Sequence, residues 1–454
     1  MKRIVVFALF VGSLVTSIYA DSSTVAPPDT MKHRLIIDLE YRGRGQVVDG
    51  ALPRPDDPEV QQPGKLEYFL ENRLRMRFKY QYKDWFETAV QLHGNAVWGS
   101  TKNIGVSFRE VRVSFRAPFG LFADLGRMPL SYDDERIIGL DDWAMGSLTH
   151  DLLRFGYEGH GHKVHAMLAY NHNSNILDGS NYYDASVAMP YKLMTNLWYH
   201  YEHPAFPLGV SVLFMNIGMQ AGTEGNISNP AKTVYQQVMG GYAMYHPWFM
   251  TVEASGYYQR GEEADQWIQP VKLKAWMASV KADIHYDNRY GFILGYDHLS
   301  GDDYVLVVEK GSFGMIYHEY NKGFRPIYGS RYKFMGIMDY FYESAYSCGF
   351  TPGLQNAYIG IHTTPYKGLS AMVNVHYLAA ATKMQEGLSQ TLGTSVDVRI
   401  GYKFNNFINL MGSFSYMHGS ETMQALKQGY GYQNVYWAWL ALIVNPTIFD
   451  KKFK

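Results

Sequence analysis

The sequence predicts an all-β chain closed into a transmembrane antiparallel β-barrel of about 18 strands. Short turns lie at one end and long loops at the other. Three observations predict it. Apolar residues recur at every second position in segment after segment, which gives each segment one apolar and one polar face. The connections between segments alternate between short and long along the chain. After the N-terminal leader no apolar run is long enough for a membrane helix, yet the 454 residues include 37 Tyr and 43 Gly. That composition suits strands that are only half apolar. A large secreted sandwich or propeller is the alternative. It has no reason to keep the short–long rhythm, and no repeat at blade spacing is present.

Residues 1–20 carry the marks of a cleaved secretory signal: Lys2 and Arg3, an apolar core over 4–18, and Ala20 at the cleavage point. The core is short of the roughly 20 residues that a membrane span needs. Cleavage removes two positive charges and takes the formal net charge from -1 to -3. No Cys near the cleavage point could carry a lipid. The one Cys, Cys348, cannot form an internal disulfide. Residues 21–33 are expected to be a flexible lead and 34–449 the barrel, with infolded loops near 127–149 and 299–352.

The strands follow in order. Leu35, Ile37, Leu39 and Tyr41 alternate with Ile36, Asp38 and Glu40, and a Gly/Pro/Asp-rich loop follows over 42–64. The clearest strand puts Leu74, Met76, Phe78 and Tyr80 on one face and Arg73, Arg75, Arg77, Lys79 and Gln81 on the other. Strand three points Thr88, Val90 and Leu92 outward and Glu87, Gln91 and His93 inward. Strand four points Val111, Val113 and Phe115 outward and Glu110, Arg112, Ser114 and Arg116 inward. Strand five runs to Gly126, with Leu121, Ala123 and Leu125 on one face. After a charged loop, Leu153, Phe155 and Tyr157 face out and Arg154 faces in, and Val164, Ala166, Leu168 and Tyr170 follow a Gly turn. Further strands are predicted over 192–202, 208–216, 234–245, 248–260, 271–286 and 290–298, then 354–362, 369–379, 394–404, 407–418 and 432–445. Residues 331–342 could be another strand, but counting it would make the number odd and put the C-terminus at the wrong end. They are therefore expected to form a loop folded into or over the mouth, with or without a short helix. The aromatics Tyr199, Tyr201, Tyr257, Tyr258, Tyr286, Tyr290 and Trp248 cluster near strand ends, as an interfacial girdle does.

Residues 120–143, GLFADLGRMPLSYDDERIIGLDDW, organise the chain: a strand runs straight into a segment dense in charge. Gly126, Arg127, Ser131, Tyr132, Asp133, Asp134, Arg136, Trp143, Asp151 and Tyr157 match a motif of the alginate-export porin family, in its Bacteroidetes-type version. FRPIYGSRYKFMGIMDYFY at 324–342 and GLQNAYIGI from Gly353 are a weaker match. The chain resembles that family over most of its length. The resemblance implies an outer-membrane barrel of 18 strands, and it implies roles for Arg127 and Arg136 in a constriction or in anchoring a loop. Lys454 stands last where such barrels often end on an aromatic residue; Phe449 and Phe453 come close.

No Gly-x-Ser-x-Gly, His-Glu-x-x-His or phosphate loop is present, and no cofactor is implied. His160, His162 and His165 are close in sequence. In a strand the last two point to opposite faces, so a solvated turn is expected rather than a metal site. The stronger candidate is an arc of arginines, Arg73, Arg75, Arg77, Arg112, Arg116 and Arg154, which parity puts on one face. Arg on the lipid face near the midplane costs roughly 2–4 kcal/mol, so that face must be the lumen. Guanidinium groups pair with carboxylates and phosphates, so the arc could attract anions. It could equally neutralise Glu87, Glu110 and Asp124. Asp133, Asp134 and Asp141 in the charged loop would sit against it. The expectation is passive conduction of small hydrophilic, anionic solutes such as carboxylated sugars, without catalysis, in the outer membrane of a Gram-negative bacterium. A dedicated polysaccharide exporter and an outer-membrane barrel enzyme are the alternatives. The partners implied are outer-membrane lipid and lipopolysaccharide, the solutes and the barrel-insertion machinery, with no nucleic acid; the protein is expected to be monomeric.

Overall fold

The computed structural model describes residues 32–454 apart from 50–65, 102–103, 172–190, 224–225, 265–269, 288, 303–306, 310–311, 314–319, 339–340, 342–350, 385–386 and 427–433. The expected signal, most of the lead and Cys348 lie outside the described residues.

Eighteen strands form the barrel wall. They are β1 (His33–Asp49), β2 (Glu67–Tyr82), β3 (Phe86–Val97), β4 (Ile104–Arg116), β5 (Leu121–Met128) and β6 (His150–Gly159). Next come β7 (His162–Tyr170), β8 (Leu193–Glu202), β9 (Leu208–Ala221), β10 (Lys232–Tyr245), β11 (Met250–Glu263), β12 (Val271–His285) and β13 (Tyr290–Leu299). The last five are β14 (Leu354–Tyr366), β15 (Leu369–Ala379), β16 (Thr391–Lys403), β17 (Ile408–Gly419) and β18 (Asn434–Val444). Each pairs antiparallel with the next. β18 pairs back with β1, from Tyr41 against Val444 to Asp49 against Tyr436, so the sheet closes. After Pro446 the chain resumes as Thr447–Phe453 along the first half of β1, and the ladder reaches Phe453 opposite His33. Closure leaves no open edge, which the hydrocarbon core of a membrane requires.

The alternation read from the sequence sets the two faces. On β2, Leu74 and Phe78 are exposed outward while Arg73 and Arg75 are buried inward. The outer surface is apolar all round, with Val106, Leu125, Leu197, Val212, Ile361 and Leu440 all more than half exposed. So much apolar surface suits lipid rather than water. Trp85, Phe119, Trp248, Tyr286, Tyr366 and Phe404 ring the short-turn end and form an aromatic girdle. Tyr257 does not belong to it. It points into the lumen, 4% exposed, because of two adjacent tyrosines only Tyr258 has the outward parity.

The connections 83–85, 117–120, 160–161, 203–207, 246–249, 286–289, 367–368 and 404–407 make the short-turn end. The intervening ones make the long-loop end. β13 pairs directly with β14, Leu299 opposite Leu354, so 300–353 is one excursion between neighbouring strands. Within it, 331–338 are neither strand nor helix, and Met335, Ile337, Met338 and Phe341 are buried. Residues 331–338 pack inside the barrel and add no strand to its wall; elsewhere in the excursion Tyr320–Asn321 makes a short parallel pairing with Lys272–Leu273 of β12.

Candidate solute pathway

The pathway starts from one wall. Arg73, Arg75 and Arg77 follow one another on the inner face of β2, with Arg42 and Arg44 beside them on β1. Arg112 and Arg116 stand on β4 and Arg154 on β6. Parity alone does not predict Arg109. A β-bulge at Gln91–Leu92 leaves Arg109 unpaired and turns its guanidinium inward, where it donates to Gln91 (2.9 Å) and Ser147 (2.9 Å). Arg42, Arg44 and Arg109 are therefore site residues that the sequence reading missed. The first two lay inside a stretch read as loop, and the third needed the bulge.

These nine guanidinium groups share six carboxylates: Glu40, Glu71, Glu87, Glu110, Asp124 and Asp142. Arg77 pairs with Glu110 at 2.7 Å, and Arg112 with both Glu87 (2.6 Å) and Glu110 (2.9 Å). Asp124 accepts from Arg116 (2.9 Å) and Arg154 (2.6 Å). The wall neutralises itself only in part. Three positive charges are left over.

The loop 129–149 folds across the lumen and docks on this wall. The Asp142 carboxylate faces Arg75, Arg42 (3.3 Å), Arg73 (3.6 Å) and Arg109 (3.7 Å). Its carbonyl accepts from Arg42 and Arg73 at 2.8 Å each, and the Ala144 carbonyl accepts from Arg73 at 2.8 Å. Trp143 lies under Arg44, 4.6 Å from the ring centroid, and against Trp439 at 4.3 Å. Burial alone would raise the Asp142 pKa, but the guanidinium groups of Arg75 and Arg73 hold it below the ordinary carboxylate value. Arg73 and Arg75, 0% and 2% exposed, are thus spent on holding the loop. Arg77, Arg116 and Arg154 keep 29%, 42% and 22% of their side chains open to the lumen.

The loop reaches the opposite wall as well. Arg136 is buried and donates to Asp134 (2.8 Å), to Ser279 on β12 (2.6 Å) and to Asp297 on β13 (2.7 Å), with Phe334 beneath it at 4.1 Å. Burial opposes its charge, yet Asp297 and Asp134 overcome that and raise its pKa. The Tyr132 hydroxyl lies 2.9 Å from His165, and Asp133 accepts from the Trp198 indole at 3.0 Å. Burial raises the Asp133 pKa despite hydrogen bonds from Ser211 and Trp198. Asp141 accepts two bonds from the Arg331 guanidinium at 3.0 Å, and Glu135 accepts from Ser330 (2.9 Å) and Lys333 (3.2 Å). Those bonds lock the loop 129–149 to the loop 300–353. Gly139 and Tyr328 add backbone hydrogen bonds, and the Ile337 amide donates to Asp397 (2.9 Å).

Between the docked loops and the short turns lies a cavity of about 770 Å³. Its wall includes Arg154, Lys163, Arg399 and Lys281, with Glu158, Glu253 and Asp397 among them. Lys163 and Arg399 have no carboxylate within ion-pair distance among the described residues. A cavity of this size takes a small solute rather than a folded or branched polymer.

Arg127 lies elsewhere. It shares the parity of Leu125 on β5 and stands on the outer face next to the long-loop end, paired with Asp151 at 2.6 Å. It does not face the pathway. There the cost of a cation on the lipid face falls to about 0–1 kcal/mol, which the pair with Asp151 offsets. His162 and His165 do point apart. His165 is buried between Tyr132 and Glu158 (2.9 Å each), and His162 is exposed beside Tyr199 (2.9 Å).

A closed antiparallel barrel with charged loops folded into its lumen has the architecture of an outer-membrane porin. Solved structures of that fold are similar to it. The chain is similar to Pseudomonas aeruginosa OccK2 (OpdF), solved in complex with glucuronate, with a TM-score of 0.59 and 13% identity over 91% of this chain and 98% of that one. It is similar to Pseudomonas aeruginosa OpdK, solved with vanillate (0.58, 11%, 91% and 98%), and to Acinetobacter baumannii OccAB1 (0.60, 12%, 91% and 97%). At such identities the likeness is one of fold. No family model and no curated protein matches the chain, so the alginate-export resemblance rests on its own motif residues.

Proposed function

We propose that this protein is an outer-membrane porin that passively conducts small hydrophilic anions, carboxylated sugars or similar, through an arginine-lined lumen. One observation carries the reading: nine arginines on one inner wall share six carboxylates, which leaves three more guanidinium groups than carboxylates in that cluster. Arginine suits carboxylates because its fork donates two parallel hydrogen bonds. Glucuronate in the OccK2 structure and vanillate in the OpdK structure supply the solute class by analogy. In this reading the short turns face the periplasm, the long loops face outward, lipid and lipopolysaccharide surround the apolar band, and insertion machinery places the barrel there. The protein works as a monomer without a catalytic step.

The motif shared with the alginate-export family is explained without a polymer cargo. Tyr132, Asp133, Asp134, Arg136 and Trp143 anchor the loop 129–149, and Arg127 ties β5 to β6 through Asp151. They encode how the loop docks. Swelling of liposomes loaded with the protein tests the function directly. Uptake of glucuronate faster than of glucose is expected, because the two differ by one carboxylate. Equal rates would overturn the anion preference.

A further inference from the structure

Three liganding side chains meet on the inner face near the short-turn end, apart from the arginine wall. They are Asp283 and His285, two positions apart on β12, and His362 on β14. The His362 Nε2 lies 2.8 Å from the Asp283 carboxylate, and the His285 Nδ1 lies 3.8 Å from it. All three ligand atoms fall within 4.8 Å of one another. Donors around a tetrahedral zinc ion at about 2.0–2.1 Å are spaced by roughly 3.3 Å, a value the observed distances bracket.

Gly291 makes this possible. It lies on β13 between the two histidines, in register with both. A Cβ there would stand 2.1 Å from the His362 Nε2. The missing side chain lets imidazoles from strands that are not neighbours lean toward each other, with ring centroids 5.9 Å apart. The three groups are neither fully buried nor fully exposed, so an ion in the lumen can reach them.

We propose that Asp283, His285 and His362 form a binding site for a divalent first-row transition ion, zinc in the first instance. The donor set is two neutral imidazoles and one carboxylate, which favours zinc, copper or nickel over calcium or magnesium. Three protein ligands leave one tetrahedral position open to the lumen for water or a small anion. The site adds a function that anion conduction does not require.

The test uses the full barrel refolded in detergent, titrated with Zn²⁺ by calorimetry and with Co²⁺ by visible absorption. One equivalent of Zn²⁺ and an intense tetrahedral Co²⁺ band are expected. Both should weaken at least tenfold in His285→Ala, His362→Ala and Asp283→Asn, and stay unchanged in His418→Ala at the opposite end. Gly291→Ala keeps all three donors yet displaces the His362 ring, and it should weaken binding as well. The slower migration of boiled than of unboiled protein in detergent gels verifies the fold of each variant. No stoichiometric Zn²⁺ uptake, or uptake unchanged by Asp283→Asn and Gly291→Ala, would overturn the proposal. The binding readout is independent of conduction, so its failure would leave the porin reading untouched.

Discussion

Asp142 is the residue on which the docked loop depends most. Four guanidinium groups converge on its carboxylate, and Arg42 stands directly across from Arg73 in the ladder, a like-charge pair that is unfavourable alone. Removing that counter-ion leaves Glu40 alone to neutralise Arg42, Arg73 and Arg75. Asp142→Asn is therefore expected to cost on the order of 1–2 kcal/mol, less than a fully buried pair because the carboxylate is 43% exposed, seen as a lower temperature for conversion of the folded to the unfolded band in detergent gels. Acidification should mimic it. Because its pKa is lower when docked than when released, Asp142 stabilises docking above the ordinary carboxylate value of about 4. That stabilisation is lost as pH falls through the docked-state value. Channel current should become noisy and larger in that acidic window and recover on return to neutral pH. A steady current throughout would contradict this role. Arg136 anchors the other side, and its planar fork contacts Asp134, Ser279 and Asp297 at once. Arg136→Lys keeps the charge but cannot reach all three, so it should destabilise the loop nearly as much as Arg136→Met.

At the scale of elements, the constriction is two loops acting as one. Replacing 331–338 with a Gly/Ser linker removes Tyr332, Lys333, Phe334 and Ile337 from the cavity wall and takes away the Arg331 and Ile337 donors of Asp141 and Asp397. Single-channel conductance should then rise several-fold, with weaker discrimination between ions. β5 feeds the first loop through Gly126, which has a φ of +121°. A Cβ there would sit 2.1 Å from the Val111 carbonyl oxygen, so Gly126→Ala should lower the yield of inserted barrel. Strand order and facing were legible in the sequence because a period of two fixes them once one face must meet lipid. Arg73, Arg75, Arg77, Arg112, Arg116 and Arg154 could be placed on that basis. What the period could not reveal is where it breaks. The bulge at Arg109 shifts register without any sequence signal stronger than a dense run of charge. The long reach of β1 to Asp49 was hidden because Gly43 and Gly45 suggested a loop. Which arginines hold the loop and which face solute depends on the docked position of Asp142 and Trp143. No local pattern encodes that position. The Asp283–His285–His362 cluster was hidden too, since it joins two strands about 80 residues apart.

For the molecule as a whole, closure turns the inward side chains of all the strands toward one lumen, so charges distant in sequence act together. Fields in a narrow, low-dielectric lumen are focused, and a modest surplus of fixed charge is enough to sort ions. The surplus of three positive charges among these nine arginines and the six carboxylates they pair with is the central claim. Reversal potential across a planar bilayer in a salt gradient measures it most directly. The comparison is between wild type and Arg77→Glu/Arg116→Glu/Arg154→Glu, whose native side chains are open to the lumen. Three reversals turn a surplus of three positive charges into an equal deficit. Wild type should reverse on the anion-selective side and the triple variant on the cation-selective side, with conductance retained in both. The same reversal potential in both proteins, or no conductance from a folded wild-type barrel, would contradict the account.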